Sequence, residues 1–383
     1  MKILHLFSNY KLTGPAEPAI RLASHLMQRG HEVIFAHSPA RHAGRGRIAD
    51  AAAALGITTT TEFELPKHYK TLVMWRDLHR MARYFDQEGI DVVHANLVND
   101  HVTAAWAVPR SERRPKLVRT NHDAVPMKRD LRTTYVFPRR TDALIELSRA
   151  ALEADVQRFR IPRRRVHLVD TPVELGRLDP ARDLPDMRER WGLGEDEFVV
   201  GVAARIQRHR RFKTLLKAVA IARTQCPQLR LVIIGRGTHK EKVAVRPARK
   251  IGLSDITTFP GYLRGDEYVA GLLALDVKVF LKPGTDGSCR AAREAMAMGK
   301  PVIASKRGML PELVTDGEDG LVVKDTPENL AGAILLLARD VDLRKRMGES
   351  ARRAALERFD PLRQAERIER IYRAILGRNT SAK

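Results

Sequence analysis

Leu281-Lys282-Pro283-Gly284-Thr285-Asp286-Gly287-Ser288-Cys289-Arg290-Ala291-Ala292-Arg293-Glu294-Ala295-Met296-Ala297-Met298-Gly299-Lys300-Pro301-Val302-Ile303-Ala304 passes from strand to loop to helix to strand. The apolar run before it ends at Leu281. Pro283, Gly284 and Gly287 then let the backbone turn sharply. The spacing predicts a helix that opens at Gly287 or Ser288 and stops at Gly299, and Pro301 begins the next strand. Strand, crossover helix and strand make the repeating unit of a parallel sheet. A glycine-bearing loop that feeds a helix start also presents free N–H groups and a positive dipole end, which suits a phosphate. Asp286 stands in that loop, and Glu294 lies eight residues on, about two helical turns away.

The same rhythm extends in both directions. Upstream, strands are expected at Ile3–Phe7, Glu32–Ala36, Asp91–Ala95, Lys116–Thr120, Ala143–Leu147 and Val166–Val169, and helices at Ala16–Gln28, Leu72–Phe85 and Arg149–Phe159. The stretch Asp170–Asp196, with Pro172, Pro180 and Pro185 and many charges, reads as a linker. Alternation restarts at Phe198–Ala204 and ends in helices Pro327–Ala338, Val341–Phe359 and Pro361–Leu376. Continuous apolar strands separated by helices imply parallel sheets covered on both faces. The expected organisation is an α/β chain of two domains. Residues 1–172 form the first, 173–196 a linker and 197–360 the second, with 361–383 a helix returning to the first.

With 383 residues and 44% apolar content, two cores of ordinary size are affordable. No apolar run is long enough to span a bilayer, and the apolar start is too brief for a signal peptide. Cys226 and Cys289 are the only cysteines, so a reducing compartment is the default. The formal charge is +22, and residues 201–257 carry 14 Lys or Arg against Glu241 and Asp255 alone. Such a field favours anionic partners. Nucleic acid is one class, yet aromatics make up only 5% of the chain and no recognition motif is present. No nucleic acid is therefore expected as partner.

The segment around Asp286 and Glu294 resembles the E-x7-E signature of GT-B glycosyltransferases. The similarity is closest to the large retaining family of glycosyl transferases group 1, the family-4-like enzymes. Aspartate stands in the first acidic slot, and the run Glu294-Ala295-Met296-Ala297 with Gly299 and Pro301-Val302-Ile303-Ala304 matches closely. The resemblance implies two Rossmann-like parallel-sheet domains facing across a cleft. Glu294 is then the ribose ligand, and Asp286 contacts the donor sugar beside the reacting carbon. Gly201-Val202-Ala203-Ala204-Arg205 resembles the strand that opens the donor domain. By that likeness Arg205 and Arg210 hold the donor diphosphate, with Arg210 in place of a lysine and Arg211 in place of a glycine. Backbone amides near Gly287 and Ser288 complete the phosphate site. Gly235, in Ile233-Ile234-Gly235-Arg236-Gly237, and Gly261 resemble loops beside the nucleotide. Gly14, in Thr13-Gly14-Pro15-Ala16-Glu17, resembles the loop after the first strand. His122, in Arg119-Thr120-Asn121-His122-Asp123, takes the place of a histidine that contacts the sugar's 6-hydroxyl.

The expected function is transfer of a hexose or heptose from a UDP- or GDP-linked sugar to a saccharide or lipid-linked acceptor, with retention. Cell-envelope polysaccharide or lipopolysaccharide synthesis is the expected setting. Neither metal nor cofactor is expected, because arginines can replace a metal at the diphosphate. Basic clusters at Arg110–Lys116, Lys128–Arg140 and Arg160–Arg165 suit an anionic membrane surface. The expected location is the cytoplasm, with peripheral attachment to the inner membrane. A weakened sugar-nucleotide-binding scaffold is the alternative suggested by Asp286, Pro15, Arg211 and Thr171, and a basic nucleic-acid binder is the alternative suggested by charge alone.

Overall fold

A computed structural model describes residues 1–40, 47–283 and 289–377. The chain divides into two compact units: Met1–Pro172 with the segment from Pro361 onward, and Val173–Asp360.

The first unit is built on seven parallel strands. They are β1 (Lys2–Phe7), β2 (Glu32–His37), β3 (Thr58–Thr60), β4 (Val92–Ala95), β5 (Lys116–Thr120), β6 (Ala143–Glu146) and β7 (Val166–Leu168), in the order β3-β2-β1-β4-β5-β6-β7. Side chains alternate across the sheet. Ile3, Phe7, Val33, Phe35, Val92 and Val118 therefore face one layer of helices, and Leu4, Leu6, Ile34, Val93 and Leu117 the other. The first layer holds the helix Ala16–Gln28 and the terminal helix Pro361–Ile375. Ala365, Ile368, Ile371 and Tyr372 of the terminal helix join that core. Glu369 anchors it electrostatically by meeting Arg29 at 2.5 Å, and pairs within the helix with Arg373 at 2.6 Å.

The second unit carries six parallel strands, β8 (Phe198–Ala203), β9 (Leu229–Ile234), β10 (Thr257–Gly261), β11 (Val277–Phe280), β12 (Val302–Ser305) and β13 (Gly320–Val323), ordered β10-β9-β8-β11-β12-β13. Val200, Val202, Leu231, Ile233, Val277 and Val279 pack under the helices Phe212–Arg223 and Pro327–Arg339. The opposite face leaves no room to spare: a Cβ on Gly201 would sit 2.1 Å from Leu275.

Two local differences from the sequence expectation have physical causes. The segment 173–196 is part of the second unit, because Leu184, Met187 and Trp191 pack against Leu263, Ala270 and Ala274. Asp186 accepts from the Arg188 and Glu189 amides and caps the short helix Met187–Arg190. The helix Leu131–Arg140 forms although it contains Thr133, Thr134 and Pro138; Asp130 caps it and Val136 and Phe137 are buried. Between β9 and β10 a π-helical turn, Glu241–Val245, leads into the short α-helix Arg246–Lys250.

Candidate active site

In the second unit strand order reverses between β8 and β11. Loops diverge at such a point and leave a crevice at the carboxyl ends of the strands. Arg205 follows β8 directly and is exposed. Arg210 is half-buried, and its guanidinium donates to the Lys282 carbonyl at 2.9 Å. That bond joins the loop after β8 to the loop after β11. Arg211 is turned away from it: it pairs with Asp325 at 3.1 Å and adopts a φ of +66° at the start of the helix Phe212–Arg223. The family glycine that Arg211 replaces would meet this left-handed backbone without steric cost.

Gly235 and Gly261 lie at the ends of β9 and β10, and the Gly235 amide donates to the Gly261 carbonyl at 2.7 Å. A Cβ on Gly235 would sit 2.0 Å from the Ala204 carbonyl oxygen, and one on Gly237 would sit 2.1 Å from that of Ile206. The loop after β9 thus runs hard against the backbone that carries Arg205. Close packing alone requires glycine at both positions.

Glu294 lies on the helix Arg290–Ala297 and is buried. Cys289 takes a φ of +54° and swings the chain into that helix. The Tyr268 hydroxyl donates to Glu294 Oε2 at 2.6 Å, and Arg177 lies 3.8 Å from Oε1. Burial raises the Glu294 pKa; Tyr268, Arg290, Arg177 and Lys278 oppose that rise. Tyr268 keeps its proton, because burial and the neighbouring carboxylate push its own pKa well up. Lys278 is fully buried on β11, and its Nζ has no hydrogen-bond partner. Burial lowers its pKa to about 7, against the pull of Glu294. A carboxylate held in this way presents acceptor capacity to hydroxyl donors.

In the first unit His122 follows β5. Its Nε2 lies 3.0 Å from Asn96 Oδ1. The Asn96 amide nitrogen donates to the carbonyls of Leu6 at 3.1 Å and His94 at 3.3 Å. Oδ1 is thereby committed to accepting, which assigns the proton to His122 Nε2 and leaves Nδ1 as an acceptor. Burial, the Arg119 charge and His5 hold the His122 pKa down to about 3, so the ring is neutral. Arg119 is itself buried, and the carboxyl groups of Asp100, Glu146 and Asp123 act on it against the burial that lowers its pKa. His94 is fully buried, with Tyr372 Oη on one ring nitrogen at 2.5 Å and Thr120 Oγ1 on the other at 2.7 Å. Gly14 sits in the turn that opens the helix Ala16–Gln28, where Thr13 accepts from the amides of Ala16 and Glu17. A Cβ on Gly14 would meet open space.

Of the residues expected from sequence, Arg205, Arg210, Gly235, Gly261 and Glu294 belong to the second unit, and Gly14 and His122 to the first. Asp286, Gly287 and Ser288 lie outside the described residues. Sequence reasoning did not reach Tyr268, Arg177, Lys278 or Asn96. A lysine inside the apolar strand Val277–Phe280 was the one available signal.

Two family models match the chain: Glycosyltransferase Family 4 over residues 14–177 and Glycosyl transferases group 1 over residues 183–354. A D-inositol 3-phosphate glycosyltransferase of Streptomyces avermitilis is 31% identical over 53% of this chain and 46% of its own length. The N-acetyl-alpha-D-glucosaminyl L-malate synthase of Bacillus anthracis is 23% identical over 94% of both chains. The chain spans about half the length of the first curated relatives it matches. Among solved structures, Anabaena HepE in complex with UDP superposes with a TM-score of 0.78 at 21% identity, covering 98% of this chain and 100% of that one. The two doubly wound sheets are those of the GT-B fold.

Proposed function

Starting from the fact that the chain belongs to the family-4-like glycosyl transferases group 1, we propose that it transfers a hexose or heptose, with retention, from a UDP- or GDP-sugar to a saccharide or lipid-linked acceptor in cell-envelope synthesis. The observation that carries the donor assignment is Glu294. A buried carboxylate pinned by Tyr268 and Arg177 is costly unless it serves a ligand, and a ribose diol supplies the matching donors. HepE was solved with UDP, which supports a nucleotide as ligand of this fold.

Arg205 and Arg210, after β8, take the diphosphate. Fixed cations aimed at a leaving group stabilise the transition state, and removing one donor of this kind typically costs about 3–4 kcal/mol. No metal is needed in this scheme. His122 Nδ1 accepts a hydroxyl of the transferred sugar, and Asp286 orients it beside the reacting carbon. The acceptor oxygen forms a bond to the anomeric carbon as the bond to the diphosphate oxygen breaks. That diphosphate oxygen takes the acceptor proton, on the same face of the sugar. Gly14 and Gly261 allow backbone to approach the substrates closely, and Gly235 holds the loop after β9 against the backbone that carries Arg205.

Thermal-shift screening with UDP-, GDP- and ADP-sugars tests the donor. The preferred donor raises the melting temperature by mass action. Arg205→Ala and Glu294→Ala lose that shift and lose transfer. Near-normal turnover of Arg205→Ala with an identified donor would refute the diphosphate assignment.

A further inference from the structure

The exposed apolar side chains of this protein are unevenly placed. Leu131 is 93% exposed, Leu72 75% and Trp75 59%, and Tyr69, Trp106 and Tyr135 are also exposed. All six belong to one side of the first unit, formed by the segment before the helix Thr71–Gln87, by that helix, and by the helices Val98–Ala107 and Leu131–Arg140. Direct contacts join them. Arg132 lies over the Tyr69 ring at 4.2 Å, and Trp106 stacks on Tyr135 with ring centroids 5.5 Å apart. Asn99 donates to the carbonyls of Pro66 and Lys67, and Arg140 donates to that of Ala105.

The charge on this side is nearly all of one sign. Residues 66–83 and 125–140 hold ten Lys or Arg and two acids, Asp77 and Asp130. Asp77 is fully buried and accepts from the amides of Glu64 and Leu65. Asp130 caps its helix and pairs with Arg132 at 2.9 Å. Asp77 is thus turned inward and Asp130 offsets Arg132, so the outward field stays strongly positive.

We propose that this side of the first unit docks on an anionic lipid bilayer, with Leu72, Trp75 and Leu131 entering the headgroup–acyl boundary and Arg129, Arg132, Arg139 and Arg140 meeting lipid phosphates. Three features select a bilayer over a carbohydrate chain. Aliphatic leucines exposed to this degree gain nothing from a sugar but partition into lipid. Trp and Tyr flanked by cations are the side chains that settle at a bilayer interface. The aromatic faces that would stack on a sugar already carry guanidinium groups: Arg140 lies 4.2 Å from Trp106 and Arg139 lies 4.8 Å from Tyr135. The docking stands independently of the transferase reading.

The test is co-sedimentation of the full chain with phosphatidylcholine vesicles, with and without phosphatidylglycerol, in the absence of any sugar nucleotide. Binding is expected only with phosphatidylglycerol, and to weaken with salt. Each neutralised arginine should lower the partition coefficient about fivefold, so Arg129→Gln with Arg139→Gln lowers it about 25-fold. Leu131→Ser and Trp75→Ser weaken binding without changing the melting temperature, since both side chains are exposed. Brominated lipid should quench tryptophan fluorescence of the wild type. Absence of binding to anionic vesicles overturns the proposal. So does binding that these four substitutions leave intact, which places the contact elsewhere, and so does binding to a soluble polyanion without binding to vesicles.

Discussion

Tyr268→Phe removes one oxygen and tests the donor site without emptying it. The phenol donates to Glu294 Oε2 at 2.6 Å in a buried setting. A hydrogen bond to a charged group contributes about 1.5–3 kcal/mol, and 1.36 kcal/mol corresponds to one pKa unit. Losing it should therefore raise the Glu294 pKa by about 1–2 units above its already elevated position. The sign follows from the carboxylate being the form that grips the ribose. Acidification through the Glu294 pKa protonates it, and nucleotide affinity falls by up to tenfold per pH unit below that point. The wild type should lose affinity at a pH above the ordinary glutamate range, because burial raises this group. Tyr268→Phe should lose it about 1–2 units higher. Isothermal titration of the nucleoside diphosphate from about pH 5 to pH 8 reads both curves. Glu294→Gln, which cannot ionise, should bind weakly with no inflection. Superimposable curves for wild type and Tyr268→Phe would refute the role given to this carboxylate.

Lys278 titrates in the opposite sense. Its folded pKa of about 7 lies below the ordinary 10.5, so the unfolded chain binds more protons between those values and its contribution to stability rises with pH there. Lys278→Met should stabilise the second unit at neutral pH, by at most about 5 kcal/mol, and flatten that rise in a series of melting curves. Asn96→Asp places a carboxylate against His122 and should raise its pKa from about 3, bringing a histidine inflection into the pH–rate profile that the wild type lacks. Tyr372→Phe leaves His94 Nδ1 without its partner and should cost about 1–3 kcal/mol in chemical denaturation of the first unit. Gly235→Ala pushes a methyl group into the Ala204 carbonyl at a φ of +143° and should yield a poorly folded second unit by near-ultraviolet circular dichroism.

Fold was legible where apolar runs were continuous. The strands at 3–7, 32–36, 116–120 and 198–204 and the helices Ala16–Gln28 and Arg149–Phe159 follow from periodicity, because a strand buried on both faces leaves no room for polar side chains. Weaker signals lost their elements. Thr58–Thr60 is too short to show a period, and the proline in Leu131–Arg140 argues against a helix that its cap and buried face nonetheless secure. The segment 173–196 reads as a linker because charged residues, Pro180 and Pro185 break up its apolar positions, so the helical spacing of Leu184, Met187 and Trp191 is too short to stand out. Only their distant partners show that they are core.

From the sequence alone came the repeating strand–helix order, the two halves, the basic stretch after β8 and the acidic pair Asp286 and Glu294. These are carried by local spacing and by a contiguous motif. Tertiary structure alone brought Tyr268 and Lys278 to Glu294, Asn96 to His122 and Tyr372 to His94. Each of those pairs joins residues at least 16 positions apart, up to the 278 that separate His94 from Tyr372. The protonation of a buried carboxylate or imidazole is set by desolvation and by whichever group lies across the gap. Neither quantity exists until the chain has closed around them.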